Sequence, residues 1–210
     1  MARWSPIERR VRAEYGPLIV GIDEVGRGPL AGPVVACAVV MPPTRRAIAG
    51  VNDSKQLDAA TRERLARRIL EQALVVSIGA ASVREVDRIN IYHATVLAMR
   101  RALQRVGPAL GQPPDHVLID GKPIRTLGTK HTAVVKGDAK CYAIACASIV
   151  AKVTRDRLMH ALAARYSEYA WERNVGYGTA QHRAALEVHG LTPHHRRSFC
   201  LEAQVEFEGL

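Results

Sequence analysis

Apolar residues follow two different rhythms along this chain. Residues 18–23 form a short apolar run ending in acid, and residues 33–41 form a second, Val-rich one. Between them lies Gly-Arg-Gly-Pro-Leu-Ala-Gly-Pro, rich in turn formers, so the pair predicts strand, tight connection, strand. Residues 73–82 predict a third strand. Residues 116–119 and 132–135 predict two brief buried strands, followed by Asp120-Gly121 and Lys136-Gly137-Asp138. Elsewhere the period is helical. Residues 58–72 place Leu65 and Ile69 on one face and Arg62, Arg64, Arg67 and Arg68 on a side expected to be solvated. Residues 90–106 bring Val96, Leu97, Met99 and Leu103 to apolar positions, and 142–166 and 179–189 predict two further helices. Early strands followed by alternating helices predict an α/β domain with a mixed central sheet flanked by helices. The expected division is a basic N-terminal segment (1–17), a main domain (18–166) and a small helical C-terminal extension (167–210).

Composition narrows the class. With 48% hydrophobic and 24% charged residues in 210, the chain is expected to fold around a core. Its longest apolar runs are too short to span a bilayer, and residues 1–15 lack the apolar stretch of a signal peptide. The expectation is a cytoplasmic protein with no membrane partner. The net charge is +10, and twenty-four of the thirty cations are Arg, whose planar fork suits phosphate. A basic, Arg-rich surface suits a nucleic-acid partner, and an Arg-rich genome showing through the composition accounts for the same numbers equally well. Cys37, Cys141, Cys146 and Cys200 form no CxxC pair and read as buried thiols rather than as disulfides or a zinc site.

Acids stand at three predicted strand ends: Asp23-Glu24, Asp120 and Asp138. Each alone is an ordinary turn or helix cap. Brought together at one sheet edge, four carboxylates repel one another and need cations, hard ions with oxygen ligands, Mg²⁺ first and Mn²⁺ second. Two such ions clamp the attacking and leaving oxygens of an in-line phosphodiester displacement. In a basic protein, a metal-loaded acid cluster accepts a nucleic-acid backbone that the bare cluster would repel.

The string Gly21-Ile22-Asp23-Glu24-Val25-Gly26-Arg27-Gly28-Pro29-Leu30-Ala31-Gly32-Pro33-Val34 resembles the signature of the ribonuclease HII family, the type 2 ribonucleases H. The resemblance continues through Asp53-Ser54-Lys55-Gln56-Leu57, the segment around Asn90 to Met99, Ile119-Asp120-Gly121 and Lys136 to Lys140. It runs on through Ala147 to Asp156, Gly176-Tyr177-Gly178-Thr179, and Thr192 to Phe199. It implies a ribonuclease H-like fold with 18–166 as the catalytic domain. It also implies endonucleolytic cleavage of RNA in RNA–DNA hybrids and on the 5′ side of ribonucleotides embedded in duplex DNA, leaving 3′-hydroxyl and 5′-phosphate. Asp23, Glu24, Asp120 and Asp138 match the family's metal-binding catalytic acids.

For substrate contact the resemblance points to Gly26, Arg27 and Gly28, whose backbone can approach a 2′-hydroxyl where a Cβ would intrude. It adds Tyr177, whose ring would pack on a sugar lacking that hydroxyl. Ser54 and Lys55 are candidates for a backbone phosphate. So are Ser148 and Lys152, one turn apart on a helix face. His194 to Arg197 are candidates to touch the duplex, while His160, His182 and His189 carry no assignment. Two departures from the family pattern are Ala145 and Val175, where a Ser and a Lys are common. The alternatives are a resolvase-like metal nuclease, a small-molecule phosphatase and a non-catalytic nucleic-acid binder on the same scaffold. A monomer is expected, and residues 204–210 show no clear clamp-binding peptide, leaving a replication-clamp contact unknown.

Overall fold

The computed structural model describes residues 4–200. Five strands, β1 (Ile19–Val25), β2 (Val34–Val40), β3 (Val75–Ala81), β4 (His116–Asp120) and β5 (His131–Val134), make one sheet in the order β3-β2-β1-β4-β5. β2 runs antiparallel to β1 and β3, whereas β4 is parallel to β1 and β5 to β4. The sheet is mixed, as the sequence predicts. Every residue of β2 is buried, which its unbroken Val-Val-Ala-Cys-Ala-Val-Val run requires of a central strand covered on both faces.

Eight helices accompany the sheet among the described residues: α1 (Pro6–Tyr15), α2 (Ala59–Gln72), α3 (Val83–Leu103), α4 (Val106–Leu110), α5 (Gly137–Lys140), α6 (Tyr142–Ala163), α7 (Trp171–Asn174) and α8 (Ala180–His189). Val20, Ile22, Ala36 and Ala38 face one core with Ala94, Ala98 and Met99 of α3. Cys37 and Val39 face the other with Leu65 and Ile69 of α2 and Ala145, Cys146 and Ile149 of α6. α6 lies so close to β1 that a Cβ on Gly21 would collide with the Ala143 backbone. This contact carries the middle of α6 over the acidic part of β1.

Two helix starts differ from expectation. The supposed basic N-terminal segment is largely α1, opened by Ser5 at the N-cap, Pro6 behind it and a reciprocal Ser5–Glu8 capping box. α3 begins at Val83 rather than at residue 90, because Ser82 and Glu85 form a second capping box. At Asn90 the backbone turns to φ 63° and kinks the helix. The Asn90 Oδ1 there accepts from Tyr92 N (3.0 Å) and His93 N (3.1 Å), capping the second half anew. Beyond α6, Tyr169 and Trp171 pack with Met159, Ala163, Ala185 and Ala31, attaching the later helices to α6 and to the β1–β2 loop. All four cysteines are free and buried. No helix of the described residues is long and apolar enough to cross a membrane. Residues 204–210, considered above for a clamp peptide, lie outside the described residues.

Candidate active site

β1 continues past its acids to Val25, so Asp23 and Glu24 sit within the strand rather than at its end, paired with Cys37 and Ala36 of β2. On the other side Ile22 pairs with Ile119, which sets Asp23 beside Asp120, the last residue of β4. Consecutive strand residues face opposite sides. Asp23 is turned toward α6 and is buried, while Glu24 is partly exposed beside the β1–β2 loop. Asp138 arrives on α5 after Lys136 takes the left-handed conformation (φ 57°). The Asp120 Oδ1 accepts from Gly137 N at 2.6 Å, tying the end of β4 to the start of α5.

The electrostatics follow from this crowding. The Asp23 carboxyl is held well above the usual carboxylate range by burial first, then by the charges of Glu24 and Asp120. The Ser148 hydroxyl and the Glu24 N–H pull the other way. Glu24 is raised by burial, against the opposing charge of Arg27, whose Nη1 lies 3.3 Å from Glu24 Oε1. Asp138 is raised by burial, then by Asp120 and Asp53, with Lys55 opposing; the Lys55 Nζ is 3.9 Å from Asp138 Oδ2. Three acids that resist ionisation, set against the Lys55 ammonium and the Arg27 guanidinium, make a site short of positive charge. The donor set is hard carboxylate oxygen throughout, which fits Mg²⁺ or Mn²⁺. Among the described residues, no three His, Cys, Asp or Glu side chains are already drawn into a metal cage. The carboxylates are electrostatic neighbours around a sheet edge, not a closed cluster.

The candidate substrate residues divide into two groups. Gly26, Arg27 and Gly28 directly follow β1, and Tyr177 stands against them: a Cβ on Gly28 would meet the Tyr177 ring at 3.7 Å. Tyr177 is 44% exposed, so its ring is available to a ligand rather than locked in a core. Lys55 is exposed on a short 3₁₀ turn, Ser54–Gln56. Ser54 and Ser148 are buried, and their hydroxyls meet at 2.9 Å. The Ser148 hydroxyl bonds the Asp23 carboxyl, and Ser54 lies behind Ser148. Lys152 spends its ammonium on Asp156 at 2.8 Å, one turn along α6.

Other side chains depart from expectation. Arg62 is half-buried rather than on an open face; its Nη1 donates to Ser54 O (3.0 Å) and also to Leu57 O, fastening the turn that bears Lys55. Arg196, expected as a duplex contact, is fully buried, as is Arg155. His182 and His195 are buried too, their Nε2 atoms 3.0 Å apart beneath Trp171, whose Nε1 donates to His182 at 3.1 Å. Sequence reasoning overlooks Arg155, although its position is readable. Ala147, Ala151, Arg155 and Met159 recur every four residues, so this cation lies on the apolar face of α6.

An α/β sheet with carboxylates gathered where β1, β4 and α5 meet defines a hydrolase of the metal-dependent nuclease class. Its sequence matches the family described as Ribonuclease HII over residues 20–202. It is 57% identical over 182 residues to the ribonuclease HII of Thermosynechococcus vestitus, covering 86% of this chain and 83% of that one. It is 52% identical over 200 residues to that of Granulibacter bethesdensis, covering 93% and 90%. Among solved structures, the ribonuclease H2 of Pyrococcus horikoshii superposes with a TM-score of 0.71 at 26% identity, over 91% of this chain and 99% of that one. The chain belongs to the ribonuclease HII family. It is accordingly a metal-dependent ribonuclease, an endonuclease acting on RNA in RNA–DNA hybrids.

Proposed function

We propose that this enzyme also cuts on the 5′ side of single ribonucleotides embedded in duplex DNA, and that on both substrates it works by two-metal hydrolysis leaving a 3′-hydroxyl and a 5′-phosphate. The observation that carries this reading is the adjacency of the acid edge and the Gly26–Gly28 turn. Glu24 and Gly26 are two residues apart on one strand end, with the Tyr177 ring packed over the same turn. A phosphodiester at the acids therefore has its sugar beside the turn.

Asp23, Glu24, Asp120 and Asp138 would hold two ions, Mg²⁺ or Mn²⁺. When bound, these supply Lewis acidity at the phosphodiester and a water of lowered pKa. The remaining work falls to the chain. Ser148 fixes the Asp23 carboxylate, with Ser54 fixing Ser148. Gly137 N holds the Asp120 carboxylate, so two ligands are oriented before any ion arrives. Lys55, exposed and beside Asp138, meets an incoming phosphate as a point charge. Gly26, Arg27 and Gly28 bring backbone to the 2′-hydroxyl, and the half-exposed Tyr177 ring packs on the neighbouring deoxyribose. The substrates are RNA–DNA hybrids and ribonucleotide-containing duplex DNA, acted on by a monomer. Removal of ribonucleotides from cytoplasmic genomic DNA, a repair role, follows from that specificity.

Product chemistry tests the hydrolytic route. A labelled hybrid is digested with Mg²⁺, with Mn²⁺ and with chelator, and the ends are analysed. The reading requires metal-dependent products with 3′-hydroxyls that a polymerase extends directly. A 2′,3′-cyclic phosphate would mean that the 2′-hydroxyl, not water, is the nucleophile, and the two-metal scheme would fall.

A further inference from the structure

Arg155 of α6 and Arg196, beyond α8, are both 0% exposed. Neither forms an ion pair among the described residues. A buried guanidinium without a carboxylate is costly unless its donors are satisfied. Here every bond goes to backbone carbonyls, and to one region. Arg155 donates to Pro33 O (3.1 Å), Ala31 O (2.9 Å) and Val175 O (2.9 Å). Arg196 donates to Gly32 O (3.0 and 2.8 Å), Gly26 O (2.5 Å) and Arg27 O (2.8 Å). The two forks thus grip both ends of the loop that begins with Gly26-Arg27-Gly28, together with the residue two before Tyr177.

The consequence is a polarised turn. The carbonyls of Gly26 and Arg27 point inward and are consumed by Arg196. No group among the described residues accepts from the N–H of Gly26, Arg27 or Gly28. Gly26 is buried while Arg27 and Gly28 are exposed, so the exposed part of the turn keeps two unpaired N–H donors and loses the Arg27 carbonyl, backed by two buried positive charges. Gly26 makes the approach possible: it has φ +87°, and a Cβ there would strike the Arg155 guanidinium stem. The same pair reaches the second reader of the site, because Leu30 N and Ala31 N both donate to Gly176 O, beside Tyr177. Burial, then the like charge of Arg155, pushes Arg196 down to about 9, so the cation persists at neutral pH.

We propose that Arg155 and Arg196 are positioning residues for ribonucleotide recognition: they hold the Gly26–Gly28 turn with the Gly26 and Arg27 carbonyls inward and the Arg27 and Gly28 amides free, in fixed relation to Tyr177. This assignment rests on the proposed reading of that turn as the 2′-hydroxyl sensor. It differs from a general stabilising role, because all seven bonds fall on one loop and the segment bearing Tyr177: two on the sensor turn, one on Val175, and four on Ala31, Gly32 and Pro33, where that loop returns to β2.

The test uses the full-length, metal-supplied enzyme carrying Arg196→Lys or Arg155→Lys. Lysine keeps the charge but not the planar fork. Both are assayed on a duplex with one ribonucleotide, well below each variant's melting temperature. A displaced turn lowers kcat by about tenfold to a hundredfold while KM stays within about twofold. The amide resonances of Gly26, Arg27 and Gly28 shift while those of the sheet stay. Unchanged kcat, or a loss that merely tracks the unfolded fraction, overturns the assignment. Should the lysine variants not fold, the arginine Nε–H resonances are followed in the Asp120→Asn protein. They are expected to move when it binds the ribonucleotide duplex and not when it binds an all-DNA duplex. Equal movement, or none, also overturns it. Failure of the wild-type enzyme to cut the ribonucleotide duplex sinks the sensor reading itself, whereas wild-type cutting with unaffected variants sinks only the role of the arginines.

Discussion

A single buried carboxylate joins the N-terminal helix to the helix that overlies the acids. Glu8 is 0% exposed and accepts from three backbone amides: Ser5 N (2.8 Å) and Tyr142 N (3.0 Å) at Oε2, and Ala143 N (2.8 Å) at Oε1. It therefore caps α1 and the start of α6 together, and both helix dipoles favour its charge. In Glu8→Ala, three buried amides lose their acceptor. At about 1–3 kcal/mol for each unsatisfied group, and allowing for overlap between them, the loss is about 4 kcal/mol. Glu8→Gln keeps the shape and one oxygen. With that oxygen at the Oε2 position, only the Ala143 bond is lost and the cost is about 2 kcal/mol. Denaturant titration at neutral pH measures both. In a chain of this size, about 4 kcal/mol also corresponds to a melting temperature lowered by about 10 °C. A Glu8→Ala change within about 1 kcal/mol of wild type, the range of a surface substitution, would refute the double-cap reasoning.

Further outcomes follow from the site and its surroundings. Asp120→Asn is expected to abolish cleavage while leaving the fold intact, and to remove the rise in melting temperature that Mg²⁺ gives the wild type by binding only the native state; near-normal turnover would discard Asp120 as a ligand. Tyr177→Ala is expected to lose more activity on a single embedded ribonucleotide than on a long hybrid, and equal losses would deny its ring a role in reading DNA. His195 is pushed down to about 4 by burial, then by His182 and His194. Its folded value lies below the unfolded value of about 6.5, so its contribution is complete above pH 6.5 and is lost as pH falls toward 4, by up to about 3 kcal/mol. The raised acids Asp23, Glu24 and Asp138 act in the opposite direction. The His195 effect is therefore read as the difference in denaturant stability between wild type and His195→Gln across that window. A difference independent of pH would contradict it.

The strands and the places of Asp120 and Asp138 are legible because both depend on local pattern, whereas β1 runs on past Asp23 and Glu24 to Val25. An apolar run that stops at Asp120, or turns at Lys136-Gly137 into Asp138, shows its acid at the point where the chain leaves the sheet. Helix starts at Ser5 and Ser82 were equally local, each with Glu three residues on, yet arginine-rich surroundings hid the first and the later apolar stripe drew attention from the second. What sequence pattern does not carry is the use of a polar side chain inside the fold. Nothing local in the sequence places the Ser148 hydroxyl against Ser54, or brings Arg62 back to Ser54 O. Arg196 stands in a run of four basic residues that suggests a surface. Its burial depends on carbonyls some 170 residues away in sequence, and no local rhythm encodes that distance.

The central claim is that metal-dependent hydrolysis and recognition of a 2′-hydroxyl meet in this one site. A labelled DNA duplex containing one ribonucleotide, incubated with Mg²⁺ or Mn²⁺ beside an otherwise identical all-DNA duplex, tests it most directly. A single nick on the 5′ side of the ribonucleotide is expected, abolished by chelator and absent from the all-DNA control. Cleavage of both duplexes, or binding without cleavage under either metal, would contradict it.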